Sequence, residues 1–350
     1  MNRRQWLTGG ALLAAAGAGG GWYAHRAAGD VSLMSPRNGG QGMRYRKFGR
    51  TGIDVSEVGF GSWGIGGSYG AIERQDSLNA LVRAQELGCN FVDSAAVYGD
   101  AEVTLGEFLA GRRDRWIVAT KFSGQKAGMT ATLEAQLRNL RTEAVDLYQL
   151  HWVPKDQTLY DELAQLKKAG KTRFIGVSLY TAEDIDFVLR RPEIDSLQVA
   201  FSLLDPDPFL SRVRAIHEAG KAVIVRSALR EGFLTGKFKR DQTFADPADQ
   251  RHELSAEQIA TTVDQVERLR FLEKDAGSMV VAAARYPLSF ADVATVILGT
   301  KSARQADSNF GQVPGGTLST ESLARVRSTQ LELGLGSRWR RVWRRWGLAS

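Results

Sequence analysis

The sequence predicts an α/β fold, a (β/α)8 TIM barrel with an N-terminal β-hairpin, and three observations carry that expectation. From residue 55 onward, short runs rich in Val, Ile and Phe alternate with polar stretches whose apolar residues recur at helical spacing. Eight such runs occur, each with room for a helix after it, which suits a closed barrel better than an open sheet. The chain has 350 residues, 43% hydrophobic and 24% charged, a folded composition long enough for one barrel of about 250 residues with extensions.

Taken in order, residues 43–55 read as the hairpin, turning at Arg50, Thr51 and Gly52. Strands follow at 55–61, 90–94, 116–122, 145–151, 173–178, 196–202, 222–227 and 294–299. Between them, 75–87, 132–140, 159–169, 183–189, 209–219 and 256–274 are amphipathic helices. Gly88, Gly170 and Gly220 come just after three of these helices, where a left-handed C-terminal cap is expected. In a barrel of this kind the chemistry sits at the C-terminal ends of the strands. Those ends carry Asp93, Lys121, His151, Ser178, Gln198 and Ser227, polar groups that packing does not require.

Several functions are excluded. The lone Cys89 rules out an internal disulfide or a multi-cysteine metal site, and the four histidines lack metal-ligand spacing. Gly59, Gly61 and Gly64 match G-x-G-x-x-G after a strand, but more glycine follows where a helix should start. The run from Gly232 to Lys237 is one residue short of a P-loop and lacks the following Ser or Thr. The net charge of +7 comes from the ends, because residues 1–29 hold three arginines and residues 337–350 hold five, with no acid in either. The nearly neutral body between them gives no basic face for nucleic acid.

Residues 1–29 begin with Arg3 and Arg4, continue through a short apolar stretch and end in small residues, the pattern of a twin-arginine export signal. The expected partner is the twin-arginine export machinery and the expected location the periplasm, with an uncleaved membrane anchor as the alternative. Residues 30–42 are a linker, 43–333 the barrel and 334–350 a basic tail. In that tail Trp339, Trp343 and Trp346 share one helical face among arginines. Three readings fit it: contact with an anionic membrane surface, packing on the barrel, or a macromolecular partner.

The segment Asp93-Ser-Ala-Ala-Val-Tyr98-Gly99, the run Ala119-Thr120-Lys121-Phe122, and Leu147 through His151 to Trp152 resemble, in order and spacing, motifs of the aldo-keto reductase family over roughly 43–333. The resemblance implies a catalytic tetrad of Asp93, Tyr98, Lys121 and His151, NADPH as hydride donor and a small carbonyl compound as substrate. The residue types suit this chemistry. A phenol is a poor acid at neutral pH, and a neighbouring ammonium favours its anion. Lys121 is therefore expected to lower the Tyr98 pKa, Asp93 to hold Lys121, and His151 to donate to the carbonyl oxygen.

By the same resemblance, Ser178 and Gln198 bind the nicotinamide carboxamide, and Phe201 stands where a tyrosine commonly stacks on the ring. Leu179 replaces a common asparagine. Ser227, Leu229 and Lys237 resemble the pyrophosphate loop. Gly299, Thr300, Lys301, Ser302, Arg304, Gln305 and Asn309 resemble the adenosine-phosphate site, whose cations suit a 2′-phosphate. Trp63, Tyr69 and Trp152 are expected to border the substrate opening, and residues 240–254 to fold over the cofactor. No metal is expected. The alternative function is a nucleotide-binding sensor or scaffold of the same fold with little turnover.

Overall fold

A computed structural model describes Asn38 and residues 42–335. The export signal, nearly all of the linker and most of the tail lie outside the described residues. Strands β1 (Tyr45–Lys47) and β2 (Asp54–Ser56) pair antiparallel. Gly49 and Gly52 in the turn between them have φ of +55° and +81°, left-handed conformations that favour glycine. A Cβ on Gly49 would stand 2.4 Å from the Ala222 backbone nitrogen, so the hairpin lies directly against the start of a barrel strand.

That contact follows from the side chains. Phe48, Ile53 and Val55 are buried among Phe91, Ile117, Leu147, Phe174 and Ile224, apolar residues of the barrel strands. The hairpin closes the N-terminal end of the barrel. The barrel comprises β3 (Val58–Gly61), β4 (Phe91–Asp93), β5 (Ile117–Phe122), β6 (Val145–Leu150), β7 (Thr172–Leu179), β8 (Ser196–Ala200), β9 (Ala222–Arg226) and β10 (Val293–Gly299). All neighbours are parallel, and β10 pairs with β3 to close the ring. A larger apolar cluster joins the strands to the surrounding helices.

Residues 55–61, expected as one strand, are divided at Glu57. Its amide donates to the Arg44 carbonyl and its own carbonyl accepts from Val296, so the chain turns from hairpin to barrel there. The Glu57 carboxylate is buried, but Arg46 (3.2 Å) and the Gly315 amide (2.6 Å) satisfy it. Arg46 also donates to the carbonyls of Leu288, Phe290 and Val293.

The helices are α1 (Arg74–Glu86), α2 (Ala101–Leu109), α3 (Met129–Asn139), α4 (Gln157–Lys168), α5 (Ala182–Leu189) and α6 (Phe209–Ala219). They continue with α7 (Ala256–Glu267), α8 (Glu273–Ala276), α9 (Met279–Leu288), α10 (Ala303–Ala306) and α11 (Thr320–Glu332). Gly88, Gly170 and Gly220 have φ of +93°, +75° and +61°, as their cap positions require. The segment 256–274 breaks after Glu267 into a 3₁₀ turn and a short helix. Helices α2 and α9, which the sequence reading did not include, have most of their residues buried.

Candidate active site

The C-terminal ends of the strands open into one cavity of about 690 Å3. Asp93 closes β4, Lys121 is the penultimate residue of β5, and His151 follows β6 directly. Tyr98 reaches in from the loop between β4 and α2. Its backbone is fixed from both sides, since a Cβ on Gly66 would stand 2.1 Å from the Tyr98 carbonyl oxygen, and one on Gly99 would stand 2.5 Å from that of Gly66. The Trp63 ring meets the Tyr98 ring edge-on with centres 4.6 Å apart.

Lys121 is fully buried in the wall beneath this tyrosine. Its ammonium donates to Asp93 Oδ2 at 2.5 Å and the Ser94 carbonyl at 2.7 Å, and lies 3.4 Å from the Tyr98 hydroxyl. Burial opposes the charge on Lys121, but Asp93 and Tyr98 together raise its pKa above the usual lysine range. The other oxygen of Asp93 accepts from the side-chain amides of Gln149 (3.1 Å) and Gln198 (2.8 Å). The buried carboxylate is thus paired and hydrogen-bonded on both oxygens.

The Tyr98 phenol does not follow the expected direction. Burial raises its pKa, and the opposing Lys121 charge is not enough to bring the net shift below the ordinary value. The hydroxyl therefore keeps its proton at neutral pH, while Lys121 lowers the cost of releasing it. His151 shifts the other way, its pKa pushed down to about 3 by burial, then by the charges of Lys121 and Arg226. It is neutral at working pH and has one ring N–H. Ser123 Oγ lies 2.7 Å from Nδ1. When the hydroxyl donates there, the ring proton belongs on Nε2, the nitrogen left for a ligand.

Ser178 and Gln198 face each other across the β7–β8 pairing. Gln198 commits its NH2 to Asp93 and Gln149, which fixes the amide orientation and leaves its carbonyl oxygen for a ligand. Ser178 Oγ is buried and has no hydrogen-bond partner. Ser227, Leu229 and Lys237 line the cavity after β9, in a loop where Ser227, Arg230 and Glu231 all adopt positive φ. Gly299, Lys301, Gln305 and Asn309 line the same wall, with Trp63 and Tyr69 at the opening.

Other expected residues lie off the cavity wall. Phe201 is fully buried and packs against Phe209, Tyr286 and Phe290, so it does not reach the cleft to stack on a ring there. Thr300 is buried, donating to the Leu298 carbonyl and accepting from Asn309. Ser302 caps α10 through the Gln305 amide, and Arg304 is exposed on that helix. Trp152 packs beside Phe122 and Gly124 rather than on the wall.

Three further residues line the cavity, two of them in the 240–254 segment expected to fold over the cofactor. Arg251 sits among the rings of Tyr69, Phe238 and Phe244 and pairs with Asp249 at 2.5 Å. Gln250 donates to the Tyr69 hydroxyl at 3.2 Å, tying the segment after β9 to the loop after β3. Arg226 ends β9 at the cavity. Burial first, then the charges of Arg251, Lys301 and Arg304, lower the Lys237 pKa, and burial and Arg251 do the same to Lys301. Such concentrated positive charge marks this end of the cavity for an anion. Among the described residues no cluster of three His, Cys, Asp or Glu side chains could hold a metal.

A closed parallel barrel whose mouth holds a tyrosine over a buried Lys–Asp pair defines a class of barrel oxidoreductase. The model of the Aldo/keto reductase family matches residues 57–330, and the chain belongs to that family. It is 31% identical over 298 residues to aldo-keto reductase str7 of Strobilurus tenacellus, covering 78% of this chain and 88% of that one. It is 26% identical over 306 residues to aldo-keto reductase YhdN of Bacillus subtilis, covering 80% and 91%. The holo form of aldo-keto reductase AKR11C1 from Bacillus halodurans superimposes with a TM-score of 0.69 at 26% identity, over 82% of this chain and 96% of that one.

Proposed function

We propose that the protein reduces an aldehyde or ketone to the alcohol with NADPH, and that Tyr98 delivers the proton. The observation that carries this reading is the Tyr98 hydroxyl 3.4 Å from a buried ammonium that Asp93 holds in place, beside a neutral His151 at the same cavity. Lys121 stabilises the phenolate that remains after proton transfer. His151 Nε2–H hydrogen-bonds the substrate oxygen, polarising the carbonyl.

The residues present fit a nicotinamide cofactor. The unpartnered Ser178 hydroxyl and the Gln198 carbonyl oxygen suit the donor and acceptor of a carboxamide. Lys237, Arg251 and Lys301 on the cavity wall, with the exposed Arg304 just outside it and its charge felt at Lys237, suit pyrophosphate and a 2′-phosphate, which favours NADPH over NADH. When bound, the reduced nicotinamide supplies the hydride.

The test is titration of the full chain with NADPH and NADH, read by quenching of tryptophan fluorescence, followed by aldehyde reduction with each nucleotide. Micromolar NADPH binding with turnover is expected. Tight binding without turnover of any carbonyl would favour the sensor or scaffold reading instead. Export of the folded chain through its Arg3-Arg4 signal, with the tail resting on an anionic membrane, completes the proposal. Cell fractionation after changing both arginines to lysine tests the export.

A further inference from the structure

Tyr98 and Lys121 stand on different elements, so the 3.4 Å between them depends on what ties the loop before α2 to β5. Part of that tie is backbone. The Ser94 amide donates to the Ala119 carbonyl at 2.8 Å, and the Ala96 amide to that of Lys121 at 3.3 Å. The Tyr98 carbonyl accepts from the Ala101 amide at 3.0 Å, which joins the loop to the first turn of α2. Glu102 is the next residue. A glutamate is rarely buried unless it is paired, yet this one is only 4% exposed.

Strand alternation explains what it meets. Lys121 points into the barrel, so Thr120 points out toward the helices. Glu102 Oε1 accepts from the Thr120 hydroxyl at 2.6 Å and from the side-chain amide of Gln136, on α3, at 2.7 Å. The same Gln136 nitrogen lies 2.9 Å from the Thr120 hydroxyl and 3.1 Å from the Lys121 carbonyl. Its oxygen accepts from the Tyr148 hydroxyl, on β6, at 3.0 Å, which fixes the end of the amide that faces Glu102. All four side chains are buried. Burial works against the Glu102 charge and raises its pKa, so packing alone gives no reason for a carboxyl there. Its place in the chain does. It comes four residues after Tyr98 and bonds the neighbour of Lys121.

We propose that Glu102 is a positioning residue for the proton transfer: it clamps the Tyr98 loop to β5 from behind the barrel wall and so sets the distance between the Tyr98 hydroxyl and the Lys121 ammonium. This rests on the carbonyl-reductase reading and deepens it. Both bonds of the clamp use one oxygen, Oε1, so what the carboxyl supplies is position rather than charge. A glutamine carbonyl can accept the same two bonds, and leucine can accept neither.

The experiment measures kcat, KM and NADPH affinity of the full chain and of its Glu102→Leu and Glu102→Gln variants with a neutral aldehyde. Glu102→Leu should lose about ten- to a hundredfold of kcat, the range of a displacement of about 1 Å, with KM and NADPH affinity within about threefold. Glu102→Gln should keep kcat within about threefold of the unchanged protein. Added to Lys121→Met, Glu102→Leu should lower kcat by less than about threefold more, because the distance it sets no longer exists; a purely structural role would multiply the two losses. The Tyr98 Cζ resonance, read by NMR on isotope-labelled tyrosine and assigned by its loss in Tyr98→Phe, needs no turnover. It should move in Glu102→Leu toward its position in Lys121→Met and stay in place in Glu102→Gln. That shift would support the clamp even if no carbonyl is reduced, a result that would overturn only the reductase reading. Should Glu102→Leu fail to fold, Thr120→Val removes the hydroxyl from the clamp at nearly constant volume. A loss of about three- to tenfold in kcat, the range of one hydrogen bond, and a resonance shift in the same direction are then expected. The proposal is overturned by a folded Glu102→Leu or Thr120→Val protein with unchanged kcat and resonance, by full multiplication with Lys121→Met, or by a Glu102→Gln protein as impaired as Glu102→Leu.

Discussion

Replacing Lys121 with methionine removes a fully buried charge while nearly conserving side-chain volume, so its consequences are electrostatic rather than steric. Two effects follow from the geometry. Asp93 Oδ2 loses its 2.5 Å partner, leaving a buried carboxylate with only the amides of Gln149 and Gln198 on its other oxygen. Breaking a buried pair in this way costs about 3–5 kcal/mol, less whatever protonation of Asp93 recovers.

The second effect is on the phenol, which sits 3.4 Å from the ammonium. At an effective dielectric of about 20, a unit charge at that distance stabilises the phenolate by about 5 kcal/mol. If the proton is half transferred in the transition state, about half of this is lost, a rate decrease of roughly 50- to 100-fold. The assay is initial-rate NADPH oxidation with a neutral aldehyde, alongside urea unfolding and an NADPH titration. The expected pattern is a lower urea midpoint, a large fall in kcat and NADPH affinity within about threefold of the original. A folded variant that keeps kcat within about threefold while losing stability would refute the reasoning, reducing Lys121 to a structural partner of Asp93.

His151 predicts acid lability with a defined sign. Its folded pKa of about 3 lies below its ordinary 6.5, so the unfolded chain takes up the proton first. Stability should fall as pH drops from 6.5 toward 3, with no contribution from this group above that window. His151→Gln removes the titration, so urea midpoints at roughly pH 7 and pH 4.5 should differ less in the variant. Arg304→Ala should weaken NADPH binding by roughly tenfold and leave NADH nearly unchanged, measured by fluorescence titration. Gly66→Ala must move the Tyr98 backbone, because the added carbon would stand 2.1 Å from its carbonyl oxygen. Loss of about 1–3 kcal/mol of stability and more than about tenfold of kcat is expected, with thermal melting and turnover as the readouts.

The barrel was readable because each strand announces itself as a short apolar run and because polar residues at successive strand ends have no packing reason to be there. Asp93, Lys121 and His151 could be singled out on that ground alone, and they do converge. The corner at Glu57 has a local sign, the polar Ser56-Glu57 pair that interrupts the apolar run from Val55 to Gly61, but that pair alone does not say that one half pairs with a hairpin.

Within the site, the legible part was chemical type and the illegible part was orientation. Phe201 has the right type for stacking and the wrong direction, because Phe209, Tyr286 and Phe290 form an apolar pocket for it away from the cleft. Lys121 does lower the Tyr98 pKa, as its charge predicts, but burial, which spacing in the sequence does not reveal, outweighs it and the net shift is upward. Arg226 and Arg251 could have been found only by position. One ends a strand and the other stands in a long polar loop, with nothing local to set them apart from solvated arginines.

The central claim is that Tyr98 supplies the proton in a cavity that separately holds the nucleotide. Tyr98→Phe removes one hydroxyl and keeps the ring against Trp63. Measured together, NADPH affinity and aldehyde reduction should separate, with binding within about threefold of the unchanged protein and turnover lowered by at least about a hundredfold. A Tyr98→Phe protein that binds NADPH and still reduces the aldehyde at a comparable rate would contradict the account.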